Sequence, residues 1–223
     1  MIGFYDYTVV LTYLSLVSAV SGMALAMSRH PIWATICLLF CGLCDMFDGK
    51  VARSKKNRTE EEKAFGIQID SLSDIVAFGV LPAVMLLTLC RGNWVARIVA
   101  PLYVLAGLIR LAYFNVTEEL RQKTTDECRK SYSGLPITSA ALIFPVFYCI
   151  AAVICECLNG TILPFYDMFL NSVGGWLLCG LMAVTGLCFV LPFQVRKPQN
   201  RELRLFLLVG TLIAVVLILA VVL

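Results

Sequence analysis

Charge is what this sequence has least of. Asp, Glu, Lys and Arg together make up 15% of its 223 residues, against roughly 25% in soluble domains. That shortage excludes an ordinary water-soluble fold. Histidine is almost absent: the single His30 stands beside Pro31 in a short connection and reads as a surface residue, which leaves no histidine-based metal centre. No internal repeat or low-complexity tract is present, so repeat architectures are set aside. The ten cysteines lack metal-finger spacing. Cys37, Cys41 and Cys44 recur at helical intervals in an apolar run, and Cys155 and Cys157 are one residue apart. They read as small hydrophobes used in packing.

What is there instead is apolar. Hydrophobic residues account for 60% of the chain, and the mean hydropathy is +0.85. This composition indicates an integral, multi-pass membrane protein. No cleavable signal is expected, because the first apolar run is too long and lacks a basic leader. A run of about 20 apolar residues crosses a hydrocarbon core of roughly 30 Å as a helix. Seven such runs are predicted, over residues 7–27, 32–54, 66–90, 94–116, 135–157, 169–192 and 203–223. The expected fold is therefore an all-α polytopic bundle in one domain spanning 1–223, with six core helices and an extra C-terminal helix. Residues 161–168, with Pro164 and Asp167, are expected to form an interfacial turn. The connection 54–65 is expected to be a short surface helix or a mobile loop.

The remaining charge is unevenly placed. With the N-terminus inside, fourteen of the eighteen Lys and Arg residues fall in the connections after helices two, four and six. Arg29, Arg91 and Arg97 alone lie on the opposite side, and Arg110 lies within helix four. This bias puts the basic connections in the cytoplasm, and Arg121, Arg129 and Lys130 read as attracting anionic lipid. No nucleic-acid partner is expected.

Within this background, four acids stand out: Asp45, Asp48, Asp70 and Asp74. Each pair is separated by three or four residues, so both members share one helix face. The helices are consecutive, and the basic, polar segment between the pairs is short enough to make them antiparallel neighbours. The four carboxylates can therefore meet at one depth on the cytoplasmic side. Two like charges about 4 Å apart repel by roughly 4 kcal/mol at an effective dielectric near 20. Convergence of four requires protons or divalent ions. The donors are hard oxygens, unaccompanied by His or Cys, which suits Mg²⁺, Mn²⁺ or Ca²⁺. Gly49 and Gly66 leave the backbone open to a bulky ligand, Ala52 keeps the next turn small, and Arg53 offers a guanidinium suited to phosphate. An ion transporter is the competing reading. It predicts acids at the midplane and broken helices, whereas these acids cluster at one face.

The spacing Asp45-x2-Asp48-Gly49-x2-Ala52-Arg53 … Gly66-x3-Asp70-x3-Asp74 resembles the signature of the CDP-alcohol phosphatidyltransferases. One departure is plain: twelve residues separate Arg53 from Gly66, where the family pattern usually has eight. The resemblance implies a fold with CDP-diacylglycerol bound over the aspartates, two divalent ions (Mg²⁺ or Mn²⁺) held by Asp45, Asp48 and Asp70, and Asp74 as a further ligand or as the base. It also implies a nucleotide site made of Asp45, Gly49, Ala52, Arg53 and Gly66, and a homodimer, which is not legible in the residues themselves. Three further stretches are similar to the serine-using branch: 70–83, 110–116 and 132–136. Tyr113 departs from that branch, in which a basic residue is common there. L-Serine is thus the expected acceptor, with glycerol 3-phosphate, inositol or inositol phosphate as alternatives. Serine carries a carboxylate and an ammonium, for which Arg110 and Asn115 are the candidate partners. Arg110 could equally snorkel to the headgroups and Asn115 cap its helix. The expected location is the cell membrane.

Overall fold

The computed structural model describes residues 3–55, 57–124, 131–159, 173–196 and 200–222. Helix α1 covers Val10–Met27, α2 Pro31–Ser54 and α3 Glu60–Asp74. A π-helical segment, Ile75–Val80, joins α3 without a break to α4, Leu81–Leu89. Then follow α5 (Trp94–Thr124), α6 (Ala140–Asn159), α7 (Val173–Val190) and α8 (Asn200–Val222). Six of these helical units are long and apolar enough to cross a membrane, and a shorter apolar stretch, Arg204–Leu219, follows in α8. The expected bundle of six helices plus a C-terminal one is therefore present, and the protein is a multi-pass membrane protein. A small antiparallel ribbon, β1 (Ser131–Ser133) with β2 (Gln194–Arg196), adds the only strands among the described residues.

Several boundaries differ from expectation, each for a local reason. The third span begins at Glu60 instead of residue 66, because Thr59 starts it early. The Thr59 hydroxyl accepts from the Glu62 N–H at 3.1 Å, and the Glu62 carboxylate accepts from the Thr59 N–H at 3.1 Å. This reciprocal cap satisfies two orphan donors of the first turn. The fourth helix runs eight residues past Val116 to Thr124, since hydropathy marks only the part of a helix that lies in lipid. The fifth opens with a 3₁₀ turn, Ile137–Ser139, after Pro136. The sixth ends at Val190, before Pro192. Residues 161–168, and the start of the sixth run at 169–172, lie outside the described residues.

The core is packed around aromatic rings on α5, α6 and α7. Tyr103 meets Phe144 edge-on at 5.7 Å and Phe189 at 5.4 Å between centroids, and all three rings are buried. Tyr103 also serves the backbone. Pro82 brings no N–H to the point where π geometry gives way to α geometry. The Phe78 carbonyl there accepts from the Tyr103 hydroxyl at 2.7 Å instead. This bond ties α5 to the turn that follows Asp74.

Gly134 fixes the approach to α6. Its φ is +77°, and an added Cβ would stand 3.0 Å from the Phe189 carbonyl and 3.1 Å from that of Leu191. Its N–H donates to Phe193 O at 2.6 Å, and the Leu135 N–H donates to Cys188 O at 3.0 Å. The chain before α6 is thereby sewn to the end of α7.

Removing the Tyr103 hydroxyl tests this part of the fold. Tyr103→Phe leaves the Phe78 carbonyl without its donor in an apolar interior, at a cost of about 1 kcal/mol. A thermal-unfolding series in detergent is expected to show a lower Tm for this variant, and an unchanged Tm contradicts the assigned bond.

Candidate active site

The four aspartates lie where α2 approaches its C-terminal end and α3 approaches the π segment. Helix α2 contributes Asp45 and Asp48, and α3 contributes Asp70 and Asp74. Asp45, Asp70 and Asp74 each place one carboxylate oxygen within 4.8 Å of the others. Asp48 completes the group, with its carboxyl beside that of Asp70. Asp74 is buried and the other three are half-buried. The expected convergence of both pairs is therefore found.

Why these side chains converge is set by neighbours that sequence reasoning did not single out. Ser73 is buried, and its hydroxyl donates to the Thr12 carbonyl of α1 at 3.2 Å. Ser71 accepts from the Asn115 amide of α5 at 2.9 Å. These two serines alternate with the acid positions and tie α3 to the helices on either side. They fix its rotation so that Asp70 and Asp74 face α2. The signal available in the sequence was the run Asp70-Ser71-Leu72-Ser73-Asp74, two hydroxyls on an otherwise apolar helix.

The candidate acceptor residues separate. Asn115 is brought to the Asp70 turn through Ser71. Arg110 stands five residues earlier on α5, about 7.5 Å along the axis. It is buried; its Nε donates to Leu135 O at 3.1 Å, and the guanidinium lies 5.6 Å from the centre of the Phe114 ring. Arg110 thus anchors the approach to α6 from inside the bundle and does not snorkel. Arg121 pairs with Glu118 at 2.6 Å. Arg129 and Lys130 lie outside the described residues. On α2, Arg53 lies along the bare face of Gly49, with its Nη1 3.7 Å from where a Cβ would stand; Ala52 keeps that turn narrow.

A strap of charge ties the N-terminal segment to the connection between α2 and α3. Lys55, just past α2, bridges Asp6 at 2.7 Å and Glu62 at 3.0 Å. Thr8 donates to Asp6 through both its N–H and its hydroxyl. Phe4 packs on Phe65 at 5.6 Å between centroids. The Lys55 ammonium first, then the Thr8 hydroxyl, hold the Asp6 carboxyl down at about 2.

Among the described residues, the ion pairs link Lys55, Lys63 and Arg121 to acids elsewhere, and none involves the four clustered aspartates. Carboxylates 4.8 Å apart repel by about 3.5 kcal/mol per ionised pair at an effective dielectric of about 20. The compensating charge has to come from bound cations or protons. A set of hard oxygen donors on two rigid helices fits a divalent ion of the Mg²⁺ class, and among the described residues no His or Cys joins the cluster.

Fold and site together define a membrane-embedded protein with a carboxylate centre at one end of its bundle. The α3 helix passes through Asp70 and Asp74 without the unwound half-helix of a carrier. A family model described as CDP-alcohol phosphatidyltransferase matches residues 8–187, and the chain belongs to that family. An archaetidylserine synthase of Methanothermobacter thermautotrophicus is 35% identical over 137 residues, covering 61% of this chain and 52% of that protein. The CDP-diacylglycerol–serine O-phosphatidyltransferase of Saccharomyces cerevisiae is 35% identical over 124 residues, 54% of this chain and 44% of its own length. A protein of the same name from Helicobacter pylori strain J99 is 31% identical over 182 residues, 79% of this chain and 66% of its own length. The chain thus spans about half the length of the first two relatives.

Two measurements follow from the electrostatics. Adding millimolar Mg²⁺ or Mn²⁺ to chelator-treated protein is expected to raise its Tm, since a ligand bound only by the folded state stabilises it by mass action. Asp70→Asn should lose that rise, and an equal rise in the variant contradicts the assigned cluster. The Asp6 strap gives a pH dependence of known sign. Its carboxyl titrates lower folded (about 2) than its ordinary 3.8, so its stabilisation is present above pH 4 and is lost as pH falls towards 2. The Tm gap between wild type and Asp6→Asn should therefore be constant from pH 7 to 5 and close below pH 4.

Proposed function

We propose that the chain transfers the phosphatidyl group of CDP-diacylglycerol to the hydroxyl of L-serine, giving phosphatidylserine and CMP. One observation carries the reading. In a chain of this family, carboxylate oxygens from Asp45, Asp70 and Asp74 meet within 4.8 Å at the end of two membrane helices. The names of the relatives favour serine over other alcohols.

In this mechanism Asp45, Asp48 and Asp70 would hold two Mg²⁺ or Mn²⁺ ions, with Asp74, whose carboxylate lies in the same cluster, as a further ligand or as the base. When bound, the ions neutralise the diphosphate and stabilise charge that develops at phosphorus. Gly49 and Ala52 leave room for the nucleotide, and Gly66 does the same from α3. Arg53 supplies a cation to the phosphates. Asp74, the most buried of the acids, takes the proton from the serine hydroxyl as its oxygen attacks the phosphatidyl phosphorus. The bond from that phosphorus to the CMP oxygen breaks, and CMP leaves. Asn115, held beside Asp70 by Ser71, is within reach to orient serine by its amide, while Arg110, a turn and a half earlier on the same helix, supports this end of the bundle through its bond to Leu135 O. The asymmetry of Lys and Arg supports a site on the cytoplasmic face of the cell membrane, where a soluble amino acid has access. A homodimer is the assembly the family implies.

An acceptor panel tests the reading. Purified protein with CDP-diacylglycerol and Mg²⁺ or Mn²⁺ should release CMP with L-serine, and should do so at least tenfold faster than with glycerol 3-phosphate or inositol. CMP release only with a phosphorylated alcohol replaces serine as the acceptor, and no release with any alcohol rejects the activity. Asp74→Asn should retain nucleotide binding while kcat falls by about 10²–10⁴-fold, the usual range for a general base. Near-normal turnover removes Asp74 from that role.

A further inference from the structure

We infer that Arg58, in the connection between α2 and α3, is a second phosphate-binding arginine of the site, contributed by the longer loop. The inference rests on the proposed diphosphate-bearing substrate and adds a residue that lies outside the Asp45–Asp74 signature.

The placement of Arg58 is specific. Its Nη2 lies 2.5 Å, and its Cζ 3.6 Å, from where a Cβ on Gly66 would stand. The guanidinium therefore rests on the bare backbone of that glycine, and no larger residue at 66 leaves it there. Gly66 precedes Asp70 by four residues, one helical turn on the same face. Arg58 thus presents its charge about one turn outside the carboxylate cluster, on the α3 side of the mouth. Arg53 does the same over Gly49 on the α2 side, with its Nη1 3.7 Å from the corresponding Cβ position. Each signature glycine is covered by one guanidinium.

The hydrogen bonding of Arg58 is incomplete. Of its five donors, Nη2 donates to the Glu62 carbonyl at 3.0 Å. Its Nε is buried without a partner, and among the described residues no carboxylate forms an ion pair with it. A buried guanidinium nitrogen without an acceptor is uncommon in a folded protein. A phosphate against the guanidinium would supply the acceptor that this cation lacks, through the fork geometry that arginine offers. The group is also held in place before any ligand arrives. Lys55 bridges Asp6 and Glu62 below it, the Thr59 cap starts α3 directly after it, and Phe4 packs on Phe65 beside it. The ligand class is the nucleotidyl phosphate of a nucleoside diphosphate, the phosphate further from the diacylglycerol. The reacting phosphorus lies over the aspartates, and its neighbour lies one turn outward.

The test compares wild type, Arg58→Gln and Arg58→Lys as full-length protein in detergent. CDP affinity is measured by calorimetry with Mg²⁺, and steady-state kinetics with CDP-diacylglycerol and serine. Loss of a charge-assisted bond predicts about tenfold or greater weakening of CDP and a matching rise in KM for CDP-diacylglycerol in Arg58→Gln. The KM for serine should stay within twofold and kcat within threefold. Arg58→Lys keeps the charge without the fork and should fall between the two. If Arg58→Gln does not fold, Arg58→Lys with wild-type CDP affinity overturns the proposal by itself. In folded Arg58→Gln, unchanged CDP affinity, or a serine KM that rises as much as that for the lipid, overturns it as well. Wild type that releases no CMP in the same assay instead rejects the activity on which the proposal rests.

Discussion

The mutual repulsion of four carboxylates at a membrane boundary is the constraint on which the rest of this structure depends. Asp45, Asp48, Asp70 and Asp74 come from two helices and converge, and among the described residues none of them forms an ion pair with a protein cation. Such an arrangement persists only if the surrounding helices are held rigidly. The bundle supplies that rigidity through polar bonds placed around the acids. Ser73 bonds to α1, Ser71 to Asn115 of α5, and Tyr103 holds the Phe78 carbonyl just beyond Asp74. The bonds of Ser73 and Tyr103 form in the buried interior, where the alternative is an unsatisfied polar group.

The same logic explains how the mouth of the site is built. Cations absent from the acid cluster are found one turn outside it, on Arg53 and Arg58, each over a glycine. The strap from Asp6 through Lys55 to Glu62 holds the connection that carries Arg58. Negative charge at the centre and positive charge at the rim suit a ligand that brings a metal-neutralised diphosphate. Such a ligand would stabilise both regions when it binds. The last part of the longer stretch between Arg53 and Gly66 is helical, since α3 starts at Glu60, capped by Thr59.

Much of this was legible in the residues. Apolar runs gave the number and order of the spans, because a membrane imposes one length scale on every helix. The i, i+3 and i, i+4 spacing of the aspartates gave the site, because helical periodicity is strict. Helix ends outside the lipid were misjudged. The cap at Thr59 and the polar turns after Val116 extend α3 and α5 beyond what hydropathy registers. The roles of Ser71, Ser73 and Tyr103 depend on which helices pack together, and spacing along one helix does not reveal that. Arg110 was read as reaching either substrate or headgroups; its bond to Leu135 O depends on the left-handed turn at Gly134.

The central claim is that the aspartate cluster binds a nucleoside diphosphate through divalent ions. The most direct measurement is the ³¹P resonance of CDP in the presence of purified protein and substoichiometric Mn²⁺. Paramagnetic broadening of both phosphorus signals beyond that seen with free Mn²⁺, lost in Asp45→Asn, is the predicted result. Broadening that is the same with and without protein, or that survives in Asp45→Asn, contradicts the account.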